Sequence, residues 1–203
     1  MKILEFKQYI EELPNLLKNK NEKVLVLSNK TYILNGLYPS CNYDYCKERN
    51  LEILETQHFG GTIVNGSGDI CIGLYNDFDS LDIQVGWVFM RKIISFLKSK
   101  SLDIVEDEND VMINGYKTVS WMSTKINDCM YTAIHIPFNL DMGLIKNVCT
   151  KEMVKVPKGL DEFGIDRNEM IEYLKVELDN FKMEDEEELE KILKGEYNGW
   201  NNS

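Results

Sequence analysis

Residues 59–69 read Phe-Gly-Gly-Thr-Ile-Val-Asn-Gly-Ser-Gly-Asp, with glycines on both sides of a short apolar run. A second apolar run, Ile70 to Tyr75, follows directly. Glycine lets a backbone approach a ligand closely and take positive φ without steric cost. Inside a strand pattern it marks a bulge, a bend or a close approach. The segment therefore predicts a hairpin whose backbone lines a site. A phosphate-cradling P-loop is excluded, because no Gly-Lys-Ser/Thr follows. A dinucleotide turn is excluded too, because a strand pattern stands where a helix should start. Spacing alone is equally compatible with a glycine-rich hairpin that binds nothing.

Other reactive side chains are scattered. Cys41, Cys46, Cys71, Cys129 and Cys149 are odd in number and irregular in spacing. Cys41 and Cys46 are separated by four residues, and no second pair completes a zinc set. Free thiols in a reducing compartment are the expectation. His135 shares an alternating strand with Tyr131 and Ala133 and reads as a pocket-edge residue rather than a base. His58 precedes the glycines and could touch a ligand. Trp87 reads as core, whereas Trp121 and Met122 fit a pocket wall or the underside of a sheet. Asp110 and Asp69 read as turn residues, with a metal or ribose as the alternative partner of Asp69.

These residues need elements to hold them. Residues 3–18 carry Ile3, Phe6, Ile10, Leu13, Leu16 and Leu17 at helical spacing, with Pro14 as a break or restart. Val24–Leu27 and Thr31–Leu34 read as strands around the turn Ser28-Asn29-Lys30. Residues 36–50 are loop-like with one helical turn, and 51–56 are extended. Leu81–Lys98 is a helix with Ser80 as cap and Ile83, Trp87, Met90, Ile94 and Leu97 inward. Residues 104–106 and 111–113 are extended, and Asn114-Gly115 is a type I′ hairpin turn into strand 116–124. Tyr131–Phe138 is another strand. Asp166 caps a helix over 167–181, and an acidic helix covers about 185–194. Strands dominate the middle and helices the ends. The class is α+β, a central largely antiparallel or mixed sheet flanked by helices.

The 203 residues suit one domain, 1–203, with an acidic helical tail from about residue 182. No run approaches the ~18 apolar residues of a membrane span. The N-terminus has no signal-peptide core, so cytoplasmic residence is the default. A formal net charge of −11 disfavours nucleic-acid and membrane-surface binding.

Taken in order, several stretches resemble the lipoate–protein ligases and octanoyltransferases, which share a catalytic domain with biotin protein ligases. The ligases carry Gly-Gly-Gly-x-Val-x-His-Asp-x-Gly-Asn, and residues 60–69 follow it without a gap. They then carry Asn-Asp-Leu-x-Val-x-Gly-x-Lys-Ile, which residues 109–118 match closely. Residues 33–36, 131–141 and 164–181 look similar to flanking parts of the family, so the likeness spans roughly residues 24 to 181.

The resemblance implies a fold of that kind and a chemistry. ATP, with magnesium, and lipoate or octanoate would give an acyl-adenylate. The acyl group would then pass to a lysine of a lipoyl-carrier domain. Lys117 would bond the activated carbonyl or the phosphate. The backbone at Gly60, Gly61 and Thr62 would line the acyl slot, and Asn65, Gly68 and Asp69 would lie near the phosphate or adenosine. Gly115 belongs to the turn that presents Lys117. The octanoyltransferases instead hold the acyl group as a cysteine thioester, need no ATP and take it from an acyl carrier protein. Cys149 falls near that cysteine. Several ligase residues differ here: Thr56, Gln57, His58 and Phe59 replace an arginine pair and the first glycine, and Asn65 replaces the histidine. A catalytically silent member that binds a small acyl ligand or a partner is the remaining alternative. An acidic carrier would need a local basic patch, for which Lys117, Lys125, Lys146, Lys151, Lys155 and Lys158 are candidates.

Overall fold

The computed structural model describes residues 1–56, 60–77, 85–183 and 185–194. Residues 2–5 form β1 (Lys2–Glu5), not the start of a helix, and α1 (Phe6–Leu16) follows at once. β1 pairs in parallel with β2 (Glu22–Leu27), and that ladder claims its backbone before helical periodicity can act. The Glu5 carboxylate accepts the Lys7 N–H at 2.9 Å and caps α1. Pro14 does not break the helix. It sits near the C-terminal end, where the Leu17 N–H still reaches the Leu13 carbonyl at 3.0 Å.

β3 (Tyr32–Asn35), α2 (Tyr43–Glu48), β4 (Glu52–Glu55) and β5 (Thr62–Asn65) come next. The three strands make a small sheet ordered β4-β3-β5. Then follow β6 (Ile70–Asp77), α3 (Val85–Ser99), β7 (Ile104–Asp107), β8 (Asp110–Ile113), β9 (Tyr116–Ile126) and β10 (Cys129–Ile136). The large sheet runs β1-β2-β6-β10-β9-β8-β7, antiparallel except between β1 and β2. α4 (Met142–Val148), a 3-10 turn (Leu160–Phe163), α5 (Arg167–Asn180) and α6 (Glu186–Leu193) complete the order. The expected α+β class with a mixed sheet flanked by helices is the one found.

The predicted turns and caps form where local chemistry dictates them. Asn114 and Gly115 take φ of 51° and 80°, as a type I′ turn requires. Asp166 and Asp185 cap α5 and α6 through the N–H groups of Glu169 and Glu188. The predicted cap Ser80, stripe residue Ile83 and the Gln57-His58-Phe59 stretch lie outside the described residues.

Pairing is where expectation and structure part. The strands before and after Ser28-Asn29-Lys30 belong to different sheets. The glycine segment is likewise no hairpin: β5 pairs with β3, and β6 with β2 and β10. A short turn over residues 66–69 carries the chain from one sheet to the other, with Asp69 N–H donating to the Gly66 carbonyl at 3.1 Å. β6 is buried over Ile70–Asn76, so it gains more as a central strand than as half of a local ribbon.

Alternation along the central strands sets the layers. Ile72, Leu74, Ile134 and Ile136 face one side and pack against α3, α5 and α6, where Phe89, Ile93, Leu174, Leu178 and Leu189 are buried. The acidic C-terminal helix thus contributes Leu189 and Ile192 to the core while Glu187 and Glu190 stay exposed. Val24, Val26, Tyr75 and Tyr131 face the other side, against α1 and the small sheet. Trp87 is only half-buried, at the margin of the first layer, with Trp121 at 6.0 Å and Arg91 4.4 Å over its ring.

α3 and α5 are pinned by a buried ion pair, Lys92 Nζ to Glu177 Oε2 at 2.8 Å, with the Lys92 side chain 1% exposed. Truncating one member strands a charge, so Glu177→Leu is expected to cost about 3–5 kcal/mol. The double variant Lys92→Met/Glu177→Leu is expected to recover most of that loss. Urea denaturation of the single and double variants checks this; equal losses in both would rule the account out.

Candidate active site

Between the large sheet and the small one lies a cavity of about 280 Å³. Its walls include Phe6 and Tyr9 of α1, Leu34 and Ile63 of the small sheet, and Cys71, Met122, Tyr131 and Ala133 of the large one. Asn65, Asn109, Asp110, Lys117, Ser120 and His135 supply polar groups. Such a slot, apolar in its depth and polar at one end, is the usual form of a small-molecule site.

Lys117 reaches it by a defined route. The Asn114-Gly115 turn starts β9, and the β8/β9 register shifts between Val111 and Met112, placing Lys117 opposite Met112. A bulge of this kind re-aims a side chain. The Lys117 backbone is fixed from the other edge as well: its N–H donates to Val156 O at 3.0 Å, and its carbonyl accepts from Lys158 N–H at 2.9 Å. Its ammonium lies 2.8 Å from Asp110 Oδ1, and the side chain is 34% exposed. Lys155 holds the other oxygen of Asp110 at 2.8 Å. Burial works against the Asp110 charge, yet hydrogen bonds from Lys117 and Lys155 hold its carboxyl below the usual aspartate value. The expected basic patch is therefore largely neutralised here, since Lys158 also pairs with Glu162 at 3.2 Å.

Asp69 is fully buried and serves the chain itself. It accepts from Gly66 N–H at 2.7 Å and Phe138 N–H at 2.8 Å. His135 Nε2 lies 2.9 Å from the same carboxylate. In the neutral ring that bond puts the proton on Nε2 and orients His135 at the slot. Asn65 is held too, its amide donating to the Ser28 hydroxyl and its carbonyl accepting the Cys71 thiol at 3.4 Å. Gly68 takes φ of 109° in this turn, and Arg167 donates to its carbonyl.

The remaining predicted site residues lie elsewhere. Gly60 and Gly61 are outside the slot lining, their carbonyls accepting Tyr38 N–H at 2.7 Å and Gly36 N–H at 2.9 Å. Those bonds extend the β3/β5 ladder beyond Asn35 and Thr62. Thr62 donates to Asn35 at 2.9 Å and accepts Ser40 N–H at 2.8 Å. Gly115 stays in its turn, away from the cavity wall. Cys149 ends α4, its thiol 3.9 Å from the Thr62 carbonyl, on the far side of the small sheet from the slot. Burial and the nearby Cys41 push that thiol up, which disfavours the thiolate. Trp121 and Met122 both line the slot. Phe6, Tyr9, Cys71 and Tyr131 line it too, a role the sequence reading gave to none of them; the alternation Tyr131-Ala133-His135, which put His135 at the pocket edge, puts Tyr131 on the same face. Among the described residues no group of three or more His, Cys, Asp or Glu side chains gathers to hold a metal.

Comparison with known proteins agrees with this architecture. Residues 10–188 match the family model described as lipoyl protein ligase A/B catalytic domain. No curated protein sequence matches. P. falciparum LipL1, solved in complex with lipoate, is similar at a TM-score of 0.69 and 16% identity over 100% of this chain. The match covers 62% of LipL1, so this chain spans less than two thirds of that protein. The structure of a bipartite lipoate protein ligase and its E2 lipoyl domain from Thermoplasma acidophilum matches at 0.68 and 16% identity, over 98% of this chain and 95% of that one. A lipoate-protein ligase A bound with ATP matches at 0.67 and 16% identity, over 98% and 97%. At these identities the likeness is one of fold.

Two carboxylates can be tested directly. Asp69→Asn loses acceptor capacity for buried donors and is expected to destabilise by about 1–3 kcal/mol in chemical denaturation; an unchanged midpoint would remove Asp69 from its place at the sheet junction. Asp110 has a lowered folded pKa, so its contribution is complete above the ordinary aspartate range near pH ~4 and is lost as pH falls through the folded value. Asp110→Asn is expected to lower stability at pH 7 and to flatten the acid limb of a stability–pH curve. Parallel curves for the two proteins would contradict the pairing with Lys117 and Lys155.

Proposed function

This chain belongs to the lipoyl protein ligase A/B catalytic-domain family, and we propose that it is a ligase that attaches a lipoyl- or octanoyl-type group to a lysine of a lipoyl-carrier domain. The observation that carries this reading is an apolar slot between two sheets with Lys117 at its polar end.

The acid lies with its chain among Leu34, Ile63, Met122 and Ala133 and its carboxylate beside Lys117. A carboxylate oxygen attacks the α-phosphorus of ATP, pyrophosphate leaves, and an acyl-adenylate forms. The carrier lysine, as the free amine, then attacks the carbonyl carbon. The carbonyl–oxygen bond to AMP breaks, the attacking nitrogen gives up one proton to solvent, and an amide remains. Negative charge grows on the phosphate oxygens in the first step and on the carbonyl oxygen in the second. An ammonium fixed on a strand whose backbone is bonded from both edges meets that charge with little reorganisation. Asp110 holds the ammonium in place through one of its three protons, which leaves the others for substrate. None of the chain's three arginines lines the slot: Arg49 lies over Tyr45, Arg91 bonds Glu106 and Arg167 bonds Gly68. Charge stabilisation here therefore falls to Lys117. No step is assigned to magnesium, which binds ATP phosphates with few protein ligands.

The thioester route through Cys149 gains no support from position, since that thiol sits outside the slot and burial holds it protonated. Mixing the protein with ATP, lipoate and a lipoyl domain, then weighing the domain by mass spectrometry, tests the reading. Lys117→Ala is expected to slow adduct formation about 10²-fold or more, the usual loss of a transition-state donor. Cys149→Ala is expected to leave it unchanged. Absence of any adduct from free acid or from an acyl-carrier donor, with the acid still bound, would make the chain a silent binding member of the family.

A further inference from the structure

Register in the large sheet lines up one polar row across the slot. Asp110 on β8 stands opposite Ser120 on β9, Ser120 opposite His135 on β10, and His135 opposite Cys71 on β6. All four line the slot. Neighbouring strands lie about 5 Å apart, so Asp110 and His135 stand about 10 Å apart with a small residue between them. The Lys117 ammonium is tied to Asp110 at one end of that span, and the imidazole stands at the other. A carboxyl group lying over Ser120 fits between the two.

Alternation alone makes His135 a pocket-edge residue, and the carboxylate behind it adds chemistry. Its Nε2 is spent on Asp69, 2.9 Å away. Asp69 is itself fixed by the N–H groups of Gly66 and Phe138. With the proton in the bond to Asp69, the neutral ring carries its lone pair on Nδ1. Among the described residues Nδ1 has no hydrogen-bond partner, and the His135 side chain is 24% exposed. A buried carboxylate that fixes the tautomer and steadies the imidazolium formed on proton uptake is what equips the histidine of a Ser-His-Asp triad as a base.

We infer that His135 is a catalytic residue of the transfer step, the base that takes a proton from the attacking carrier lysine, with Asp69 as its positioning residue. The inference rests on the ligase reading above and deepens it. As the amine nitrogen bonds to the carbonyl carbon, the carbonyl π pair moves onto oxygen, toward Lys117. The nitrogen, now positive, passes one proton to Nδ1 and can no longer leave as a neutral amine. The carbonyl re-forms, the C–O bond to AMP breaks, and the imidazolium hands its proton on to solvent. The other ionisable groups around His135 are the Cys71 thiol, which burial and Asp69 push up, and the Lys117–Asp110 pair beyond Ser120. From α1 comes Tyr9, nearer the floor and pushed up by burial, and from α5 comes Arg167, on the Gly68 carbonyl. No second imidazole lines the slot among the described residues, so a change in transfer between pH ~5 and ~8 reports on His135.

Single-turnover transfer from enzyme-bound octanoyl-adenylate to a lipoyl domain, followed by mass spectrometry across that pH range, reads the step. His135→Gln keeps a donor for Asp69 without a base. His135→Ala with added imidazole supplies a base again, and circular dichroism confirms that each variant folds. The carrier amine ionises alike in every mixture, so its own titration cancels in the ratio of native to variant rates. That ratio is expected to reach about 10²-fold or more near pH ~8 and to fall toward one near pH ~5, where the imidazole is protonated. Imidazole is expected to narrow it for His135→Ala. Adenylation, read as pyrophosphate release, is expected to fall much less than transfer. A purely structural role would lower both half-reactions alike at every pH, and a role as a cation would make the ratio grow as the pH falls; either result overturns the inference. If the variants transfer as fast as the native protein, the inference fails and the ligase reading stands. If the native protein forms no adenylate and transfers nothing, both fail.

Discussion

The buried carboxylate of Asp69 is the constraint on which the site depends. It stands where the chain leaves the small sheet for the large one, and it satisfies donors from three places: the turn at Gly66, the strand residue His135 and the segment after it at Phe138. A buried charge is tolerated only when hydrogen-bonded in this way. Those bonds fix how β5 enters β6, and hence the separation of the two sheets. The slot is that separation. The same carboxylate orients His135 at the slot's polar end, so the scaffold and the site share one anchor.

From that junction the division of the slot into polar and apolar parts follows without further devices. Strand alternation puts Tyr131, Ala133 and His135 on one face, and neighbouring strands in register continue each row. The rows nearest β8 meet Asp110 and Lys117; the rows toward β2 meet α1. Electrostatics then settles the polar end. Two lysines on one carboxylate keep Asp110 ionised despite its burial, and the ion pair holds the Lys117 ammonium without enclosing it. At the other end, the Tyr75 hydroxyl donates to Tyr9 and the Tyr9 and Tyr131 hydroxyls bond each other, which lets phenols occupy a buried floor.

Much of this was legible locally. Asn114-Gly115 announced its turn because only a few residues accept positive φ, and Asp166 and Asp185 announced their helices because their side chains can cap an N-terminus. Lys117 was legible through its place in a motif, and the structure brings it to the slot. Gly60 and Gly61 were legible as unusual residues but not as neighbours of a particular wall, because the same glycine spacing serves a hairpin or a sheet-crossing turn. Ile3 went to a strand because Leu25, far along the chain, offered its backbone a ladder.

By itself the sequence determined most of the element types, the turn chemistry and the family to which residues 10–188 belong, since these depend on side chains a few positions apart or on an ordered motif. Only the tertiary structure decided which strands pair, that β5 and β6 part company, and that Tyr9, Tyr75 and Tyr131 meet. Those outcomes turn on burial shared between segments far apart in the chain: β6 is most stable with both faces covered and both edges bonded, and no local pattern states which strands will cover and bond it.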